Sequence, residues 1–350
     1  MGLQHDYPWV KAPVLIGAPM RLISLAPLAV AVSHAGGLGF IGAGTEVHDL
    51  DAHLQEASRL IRETPVVGSA ADVLPIGVGF INWGADFDTT VRTLEKYKPA
   101  AVWFFAPYKN ADLVQWTEEI SNATQGNTKI WVQVGSVHDA VEVARLCRPD
   151  VIVAQGSDAG GHGLERGAGI ITLLPEIADA LKHEGFEDTS VVAAGGVVEG
   201  RGVAACLALG SEGVVMGTRF LASTEATIAA GYQRAVVRAK DGGINTVRSK
   251  VYDTLRGTTG WPERIGGRGI INQSFLDAKD GKVTKENMDA YAEALKKGDD
   301  GWDENGRLTT YAGTGVGLID RIKPAAAIMK EIRRQVMDIE LRTSKRQSRI

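Results

Sequence analysis

Val151-Ile152-Val153-Ala154-Gln155-Gly156-Ser157-Asp158-Ala159-Gly160-Gly161-His162-Gly163 decides the fold of this chain. Its first four residues form an unbroken apolar run with β-branched side chains, which is how a strand covered on both faces reads. The run stops at a loop with four glycines, a composition that no stable helix tolerates. Outward from it the same unit repeats. Short apolar runs stand at Val14–Gly17, Leu38–Ile41, Ile76–Phe80, Ala101–Phe105, Lys129–Val134, Val191–Ala194 and Gly213–Met216. Helix-patterned stretches separate them, at Asp49–Arg62, Ala111–Asn122, Ser136–Leu146, Ile171–Glu184 and Glu199–Leu209. Strands alternating with helices give right-handed βαβ units and a parallel sheet.

Eight such strands count out an α/β fold of the (β/α)8 TIM-barrel type. A doubly wound open sheet is the competitor, and it expects GxGxxG after its first strand. Here that strand ends in Gly17-Ala18-Pro19-Met20. Glycine is 42 of the 350 residues, or 12%, against a usual share of about 7%. It recurs near the ends of the strand runs, at Gly17, Gly42, Gly79, Gly135, Gly156, Gly195 and Gly217. In a barrel those positions ring the mouth where active sites are built.

The chain is expected to divide into a barrel over residues 1–240, completed by a helix within 312–340, a small lid-like subdomain at 241–311, and a flexible basic tail at 341–350. One helix is expected at Thr224–Lys240 before the lid; within the lid a helix is expected at Lys285–Lys296 and a short strand around Val247–Leu255. Helical periodicity returns at Ile319–Val336.

A charge balance of 38 basic against 42 acidic residues argues against a nucleic-acid-binding surface, which needs a concentrated basic face. The apolar stretch Leu22–Val32 is too short to span a bilayer. Two cysteines, Cys147 and Cys206, form no CxxC pair, so no metal cluster is expected and reduced thiols in an intracellular setting are. The expected location is cytoplasmic or peroxisomal, since Ser348-Arg349-Ile350 is similar to the Ser-Lys-Leu peroxisomal address.

The chemistry concentrates in two places. His162, flanked by glycines after the sixth strand, is the candidate catalytic group, because imidazole titrates near neutrality and serves as a base or an anion partner. Ala194-Gly195-Gly196 after the seventh strand and Met216-Gly217-Thr218-Arg219-Phe220 after the eighth offer unobstructed amides and a hydroxyl. Loops after strands seven and eight of such barrels commonly bind phosphate. A phosphorylated cofactor follows, and flavin mononucleotide (FMN) fits.

Gln155-Gly156-Ser157-Asp158-Ala159-Gly160-Gly161-His162 strongly resembles the nitronate monooxygenase (2-nitropropane dioxygenase-like) family. Ile16-Gly17-Ala18-Pro19-Met20, Ala194-Gly195-Gly196, Met216-Gly217-Thr218-Arg219-Phe220 and Ala312-Gly313-Thr314-Gly315-Val316-Gly317 match it in order along the chain. Val102-Trp103-Phe104-Phe105-Ala106-Pro107 is closer to its fungal-type members. The resemblance implies noncovalent FMN, O2 as oxidant, no metal, and oxidation of alkyl nitronates such as propionate 3-nitronate, or of nitroalkanes, to a carbonyl compound and nitrite. It implies that Ala18, Pro19 and Met20 line the flavin ring, that Gln155 bonds its edge beside Gly160 and Gly161, and that Gly195, Gly196, Met216, Gly217 and Thr218 hold the phosphate end. Many members carry Lys where Gln133 stands, and Glu where Asp158 stands. A homodimer is compatible with the family, and Tyr311 is expected to close over the site.

Three alternatives stand beside this reading. A flavin-dependent enoyl-thioester reductase shares the Gly-Gly-His loop. An inosine-monophosphate-dehydrogenase-like enzyme shares the phosphate loops but needs a cysteine nucleophile. A flavin-binding protein without catalysis is the third.

Overall fold

The computed structural model of the chain describes residues 2–70, 72–278 and 280–347. Eight parallel strands close into a barrel: β1 (Leu15–Gly17), β2 (Leu38–Gly44), β3 (Leu74–Ile81), β4 (Pro99–Phe105), β5 (Lys129–Val134), β6 (Val151–Gln155), β8 (Ser190–Ala194) and β9 (Gly213–Met216). They neighbour one another in chain order. β1 closes the ring on β9 through Leu15–Val214, Ile16–Val215 and Gly17–Met216. Because all eight run the same way, their carboxyl ends make one mouth.

Alternation along the strands sorts the core into two layers. Ile41, Val78, Phe104, Val132, Ile152 and Val214 pack outward against the helices. Ile16, Phe40, Trp103, Trp131, Val153, Val192 and Val215 pack together within the ring with Leu3, Tyr7 and Trp9 from the start of the chain. The interior is an aromatic stack. Phe40 lies 5.2 Å from both Trp103 and Trp131, and the two indoles stack at 5.9 Å. Trp131 donates its indole N–H to the Tyr7 hydroxyl at 2.7 Å. Gly77 is glycine because a Cβ there would stand 2.2 Å from the Phe40 ring.

A second sheet lies outside the barrel. β7 (Gly161–Leu164), β10 (Thr246–Ser249) and β11 (Ile265–Ile270) form three antiparallel strands in the order β10-β11-β7. β7 is the continuation of the Gly-rich loop. His162 pairs with Gly267, so the strand carrying the imidazole is held by a segment about a hundred residues later.

All eight barrel strands stand where the apolar runs predict them, and Ser136 caps its helix by accepting the Asp139 amide at 3.1 Å. Several expectations need correction. Thr224–Lys240 is not one helix; only Ala230–Arg238 is helical. The stretch before it turns at 224–226 and then runs irregularly, with the Thr224 amide on the Lys323 carbonyl and the Thr227 amide on the Ile23 carbonyl. The strand expected around Val247–Leu255 ends at Ser249, and Val251–Arg256 turns helical. The closing helix starts at Ala325 rather than Ile319, because Pro324 lacks the N–H that a helix interior needs; the Glu225 carboxylate accepts the Ala325 amide instead. That helix runs on to Gln347, through most of the segment expected as a tail; the tripeptide Ser348-Arg349-Ile350 lies outside the described residues. Gly42 and Gly79 sit inside β2 and β3, not at their ends. A Cβ on Gly42 would stand 2.4 Å from Met20 and one on Gly79 2.3 Å from Pro19, so these glycines let the first loop fold down onto the strands.

Candidate active site

Ala18-Pro19-Met20 leaves β1 and lies across the neighbouring strands at the mouth, anchored by the Ala18 amide on the Met216 carbonyl at 3.0 Å. Gly217 faces it, with a Cβ position 3.5 Å from Ala18 and 3.8 Å from the Met20 sulfur. The first and last strands thus bring Ala18, Met20, Met216 and Gly217 together. Thr218 has its hydroxyl committed, accepting the Gly313 amide at 3.0 Å.

Gly195 and Gly196 have positive φ angles of 100° and 78°, a region where side chains are strained. With Asp158, Thr314 and Gly315 they line a cavity of about 240 Å³ that neither Gly217 nor Thr218 reaches. Asp158 is fixed by Thr314, whose hydroxyl donates to its carboxylate at 3.1 Å. Gly160 also lies against the chain itself. A Cβ there would stand 2.3 Å from the Gly313 nitrogen, so it is glycine to let the late Ala312-Gly313 segment cross. Gly161 instead looks onto open space.

Gln133 and Gln155 line one cleft with Phe105, Leu164 and Arg264. Gln155 donates to the His162 carbonyl at 3.2 Å, so part of its capacity holds the loop in place. Gln133 accepts the Trp103 indole N–H at 3.0 Å. An indole nitrogen can only donate, so this bond orients the amide and leaves Nε2 as the outward group. Nε2 is buried and has no partner among the described residues. A buried donor of this kind costs about 1–3 kcal/mol unless something accepts from it. The indole N–H groups of Trp83 and Trp261 and the Asn82 amide are in the same condition nearby. Buried donors without acceptors and glycine-lined backbone fit an acceptor-rich ligand such as a flavin with its phosphate.

His162 is held at the mouth by a carboxylate and two aromatic rings. Its Nε2 lies 2.8 Å from Asp253 Oδ1, and both side chains are nearly sequestered from water. Trp261 stacks on the ring, centroids 3.6 Å apart. The Tyr311 hydroxyl donates to the same Oδ1 at 2.8 Å, so Tyr311 closes over His162 and Asp253. Burial pushes the imidazole below its ordinary range, with Asp253 opposing and Arg248 and Arg256 reinforcing that shift. The loop itself is tied from behind by Arg248. Its guanidinium donates to the carbonyls of Ser157, Ala159, Gly161 and Gly266 at 3.2, 2.8, 3.0 and 2.6 Å. Cys147 and Cys206 lie in helices, and burial pushes both thiols up to about 11, so neither supplies a thiolate near neutrality.

Asp253, Trp261 and Arg248 escape sequence reasoning. Asp253 is 91 residues from His162 in a stretch read as strand, and only the charged and aromatic residues inside a Gly-rich insert hinted at them.

A closed parallel barrel with a buried imidazole–carboxylate pair and unpaired donors at its C-terminal mouth defines a TIM-barrel enzyme with a buried ligand site. The model of one family, described as nitronate monooxygenase, matches residues 74–335. The nitronate monooxygenase npaC of Metarhizium robertsii is 48% identical over 96% of this chain and 94% of its own. A nitronate monooxygenase of Neurospora crassa is 36% identical over 96% and 92%. Among solved structures, FabK from Thermotoga maritima superposes with a TM-score of 0.74 at 26% identity, covering 100% of this chain and 99% of that one. The chain belongs to the nitronate monooxygenase family. It is an oxidoreductase that oxidises nitronates, in a family that is flavin-dependent. The enoyl-thioester reductase alternative is not favoured beside relatives of this similarity. No helix among the described residues is long and apolar enough to cross a membrane.

Proposed function

We propose that this enzyme uses FMN and O2 to oxidise alkyl nitronates of the propionate 3-nitronate type, and the neutral nitroalkanes they come from, to carbonyl compounds and nitrite. When bound, FMN supplies the electron acceptor between substrate and O2. The residues that would hold it are Ala18, Pro19 and Met20 from the first loop, Gln133 and Gln155 along one edge, Gly160 and Gly161, and Gly195, Gly196, Met216, Gly217 and Thr218 toward the phosphate. The unpartnered Gln133 Nε2 supports this placement, as a donor waiting for a ring acceptor.

One observation carries the reading of His162: a sequestered imidazole, depressed by burial yet bonded to a carboxylate. Such a ring is neutral near pH 7 and suited to taking a proton. A nitroalkane must lose a proton before it can be oxidised, whereas a nitronate has already lost it. Packing half-buried Trp261 and Tyr311 against the ring keeps water away from that transfer.

The test compares the two substrate forms in His162→Asn. The ratio of kcat/KM for nitroethane to that for ethylnitronate should fall by about 100-fold or more. An unchanged ratio would remove His162 as the base. Bleaching of the bound flavin by a nicotinamide donor, with no response to nitronate, would overturn the oxidation itself.

A further inference from the structure

Asp253 accepts from three donors on a single oxygen. His162 Nε2 lies at 2.8 Å from Oδ1, the Tyr311 hydroxyl at 2.8 Å and the Thr258 hydroxyl at 3.2 Å. Burial and the adjacent Asp253 both push the Tyr311 hydroxyl up, so it keeps its proton and donates. A carboxylate can only accept. The nitrogen facing it must therefore carry hydrogen, which makes the neutral imidazole the Nε2–H tautomer. The remaining nitrogen, Nδ1, has the lone pair and no hydrogen-bond partner among the described residues. A half-turn about Cβ–Cγ would keep the ring in its plane against Trp261 but put carbon where Nε2 now meets Asp253, so the bond to Asp253 fixes which nitrogen faces the carboxylate.

We infer that Asp253 is a positioning residue that locks His162 in the Nε2–H tautomer, and that Nδ1 is the atom that takes the substrate proton. This rests on the reading of His162 as the base. In the step, the C–H bond next to the nitro group breaks and its electron pair moves into the nitro group, giving the nitronate. The proton forms a bond to Nδ1. The imidazolium keeps its Nε2–H on Asp253, so the new positive charge forms beside a negative one that is already in place. Two cations act on the ring, half-buried Arg248 from β10 and exposed Arg256 from the helix of Asp253, and both oppose that charge. Asp253 is the carboxylate that offsets them. Thr258, Trp261 and the un-ionised Tyr311 complete the surroundings and bring no charge.

The tautomer can be read directly. In holoenzyme labelled with ¹⁵N-histidine, two-bond nitrogen–carbon-proton correlations distinguish Nε2–H from Nδ1–H, and the His162 signals are those missing from His162→Asn. The wild-type protein should give the Nε2–H pattern, and Asp253→Asn should lose it in favour of a mixture. Kinetically, Asp253→Asn should lower the nitroethane-to-ethylnitronate kcat/KM ratio by about 100-fold, the low end of what a general base contributes, since without its carboxylate the histidine takes the wrong tautomer. It should also move the basic-form midpoint of the nitroethane profile to lower pH. Tyr311→Phe should move that midpoint upward, because Oδ1 then shares its charge among fewer donors. Opposite shifts from two neighbours are not what general loosening of the site produces.

An Nδ1–H pattern in the wild-type protein would overturn the assignment. So would an unchanged ratio and midpoint in Asp253→Asn when His162→Asn has lost its nitroethane activity. If His162→Asn keeps that activity, the base reading falls and takes the Nδ1 role with it. Should Asp253→Asn fail to fold, the wild-type spectrum and Tyr311→Phe decide the matter alone.

Discussion

The indole of Trp261 lies face to face with the imidazole of His162, planes 10° apart and centroids 3.6 Å apart. The Trp261 ring thus covers one face of this sequestered imidazole and keeps solvent from it. Burial is the largest influence on His162 and it lowers the pKa. Trp261→Ala would admit water to the ring and raise the pKa toward the ordinary value. The limb of the nitroethane kcat/KM profile that requires neutral imidazole should then move to higher pH. A pH profile of the variant checks this, and a limb that stays put or moves down contradicts it.

Arg248 should be worth more to stability than to charge balance. Four backbone carbonyls accept from its guanidinium, and hydrogen bonds to charged groups contribute about 1.5–3 kcal/mol each, though not additively. Arg248→Met should destabilise the protein by about 3–5 kcal/mol in urea unfolding. Arg248→Lys should recover only part of this loss, because an ammonium cannot span four acceptors as a planar fork does. Equal stabilities for the lysine variant and the wild type would show that charge alone matters.

Two adjacent glycines should respond very differently to alanine. At Gly160 the new methyl would meet backbone 2.3 Å away in Gly313, and nothing there can step aside without parting two chain segments. At Gly161 the methyl would meet open space, and the cost is the positive φ of 66°. Gly160→Ala should cost about 3 kcal/mol and Gly161→Ala about 1 kcal/mol. Chemical denaturation of the pair measures the difference.

Gln133 should control cofactor affinity and potential separately. Gln133→Leu removes the oriented donor, and FMN should dissociate about tenfold more readily, as followed by the fluorescence of released flavin. Gln133→Lys places a cation where many family members have one. It should raise the flavin midpoint potential by on the order of tens of millivolts, since positive charge favours the reduced anion. No change in potential would mean that this position does not face the ring.

The barrel was legible because each of its strands is an apolar run and most carry a glycine within or just after them, a pattern with few competing explanations. The first loop and the His162 loop were legible for the same reason. The helices Ala26–His34 and Phe87–Tyr97 escaped because the first is apolar on nearly every side and the second mixes charge with threonine. β7 and β11 escaped because Gly161-His162-Gly163 and Gly266-Gly267-Arg268-Gly269 have no side-chain alternation to read; their pairing is a matter of backbone. Asp253 and Trp261 reach His162 only through that pairing, so no local pattern announces them. The glycines had more than one cause. Gly42 makes room for Met20, Gly79 for Pro19 and Gly160 for Gly313, contacts within the chain that composition alone does not separate from close approach to a ligand.

The pairing of His162 with Gly267 has a practical corollary. In enzymes of this architecture one is tempted to treat an insert after the eighth strand as an exchangeable module that tunes which substrate enters. Here the insert supplies a hydrogen-bonded strand to the very residue that would perform the proton transfer, along with its carboxylate and its stacking ring. Grafting a foreign insert onto this barrel would therefore replace the base's neighbours together with the pocket wall. Substrate choice and proton chemistry are inherited as one unit, and a chimaera judged by selectivity alone would be misread.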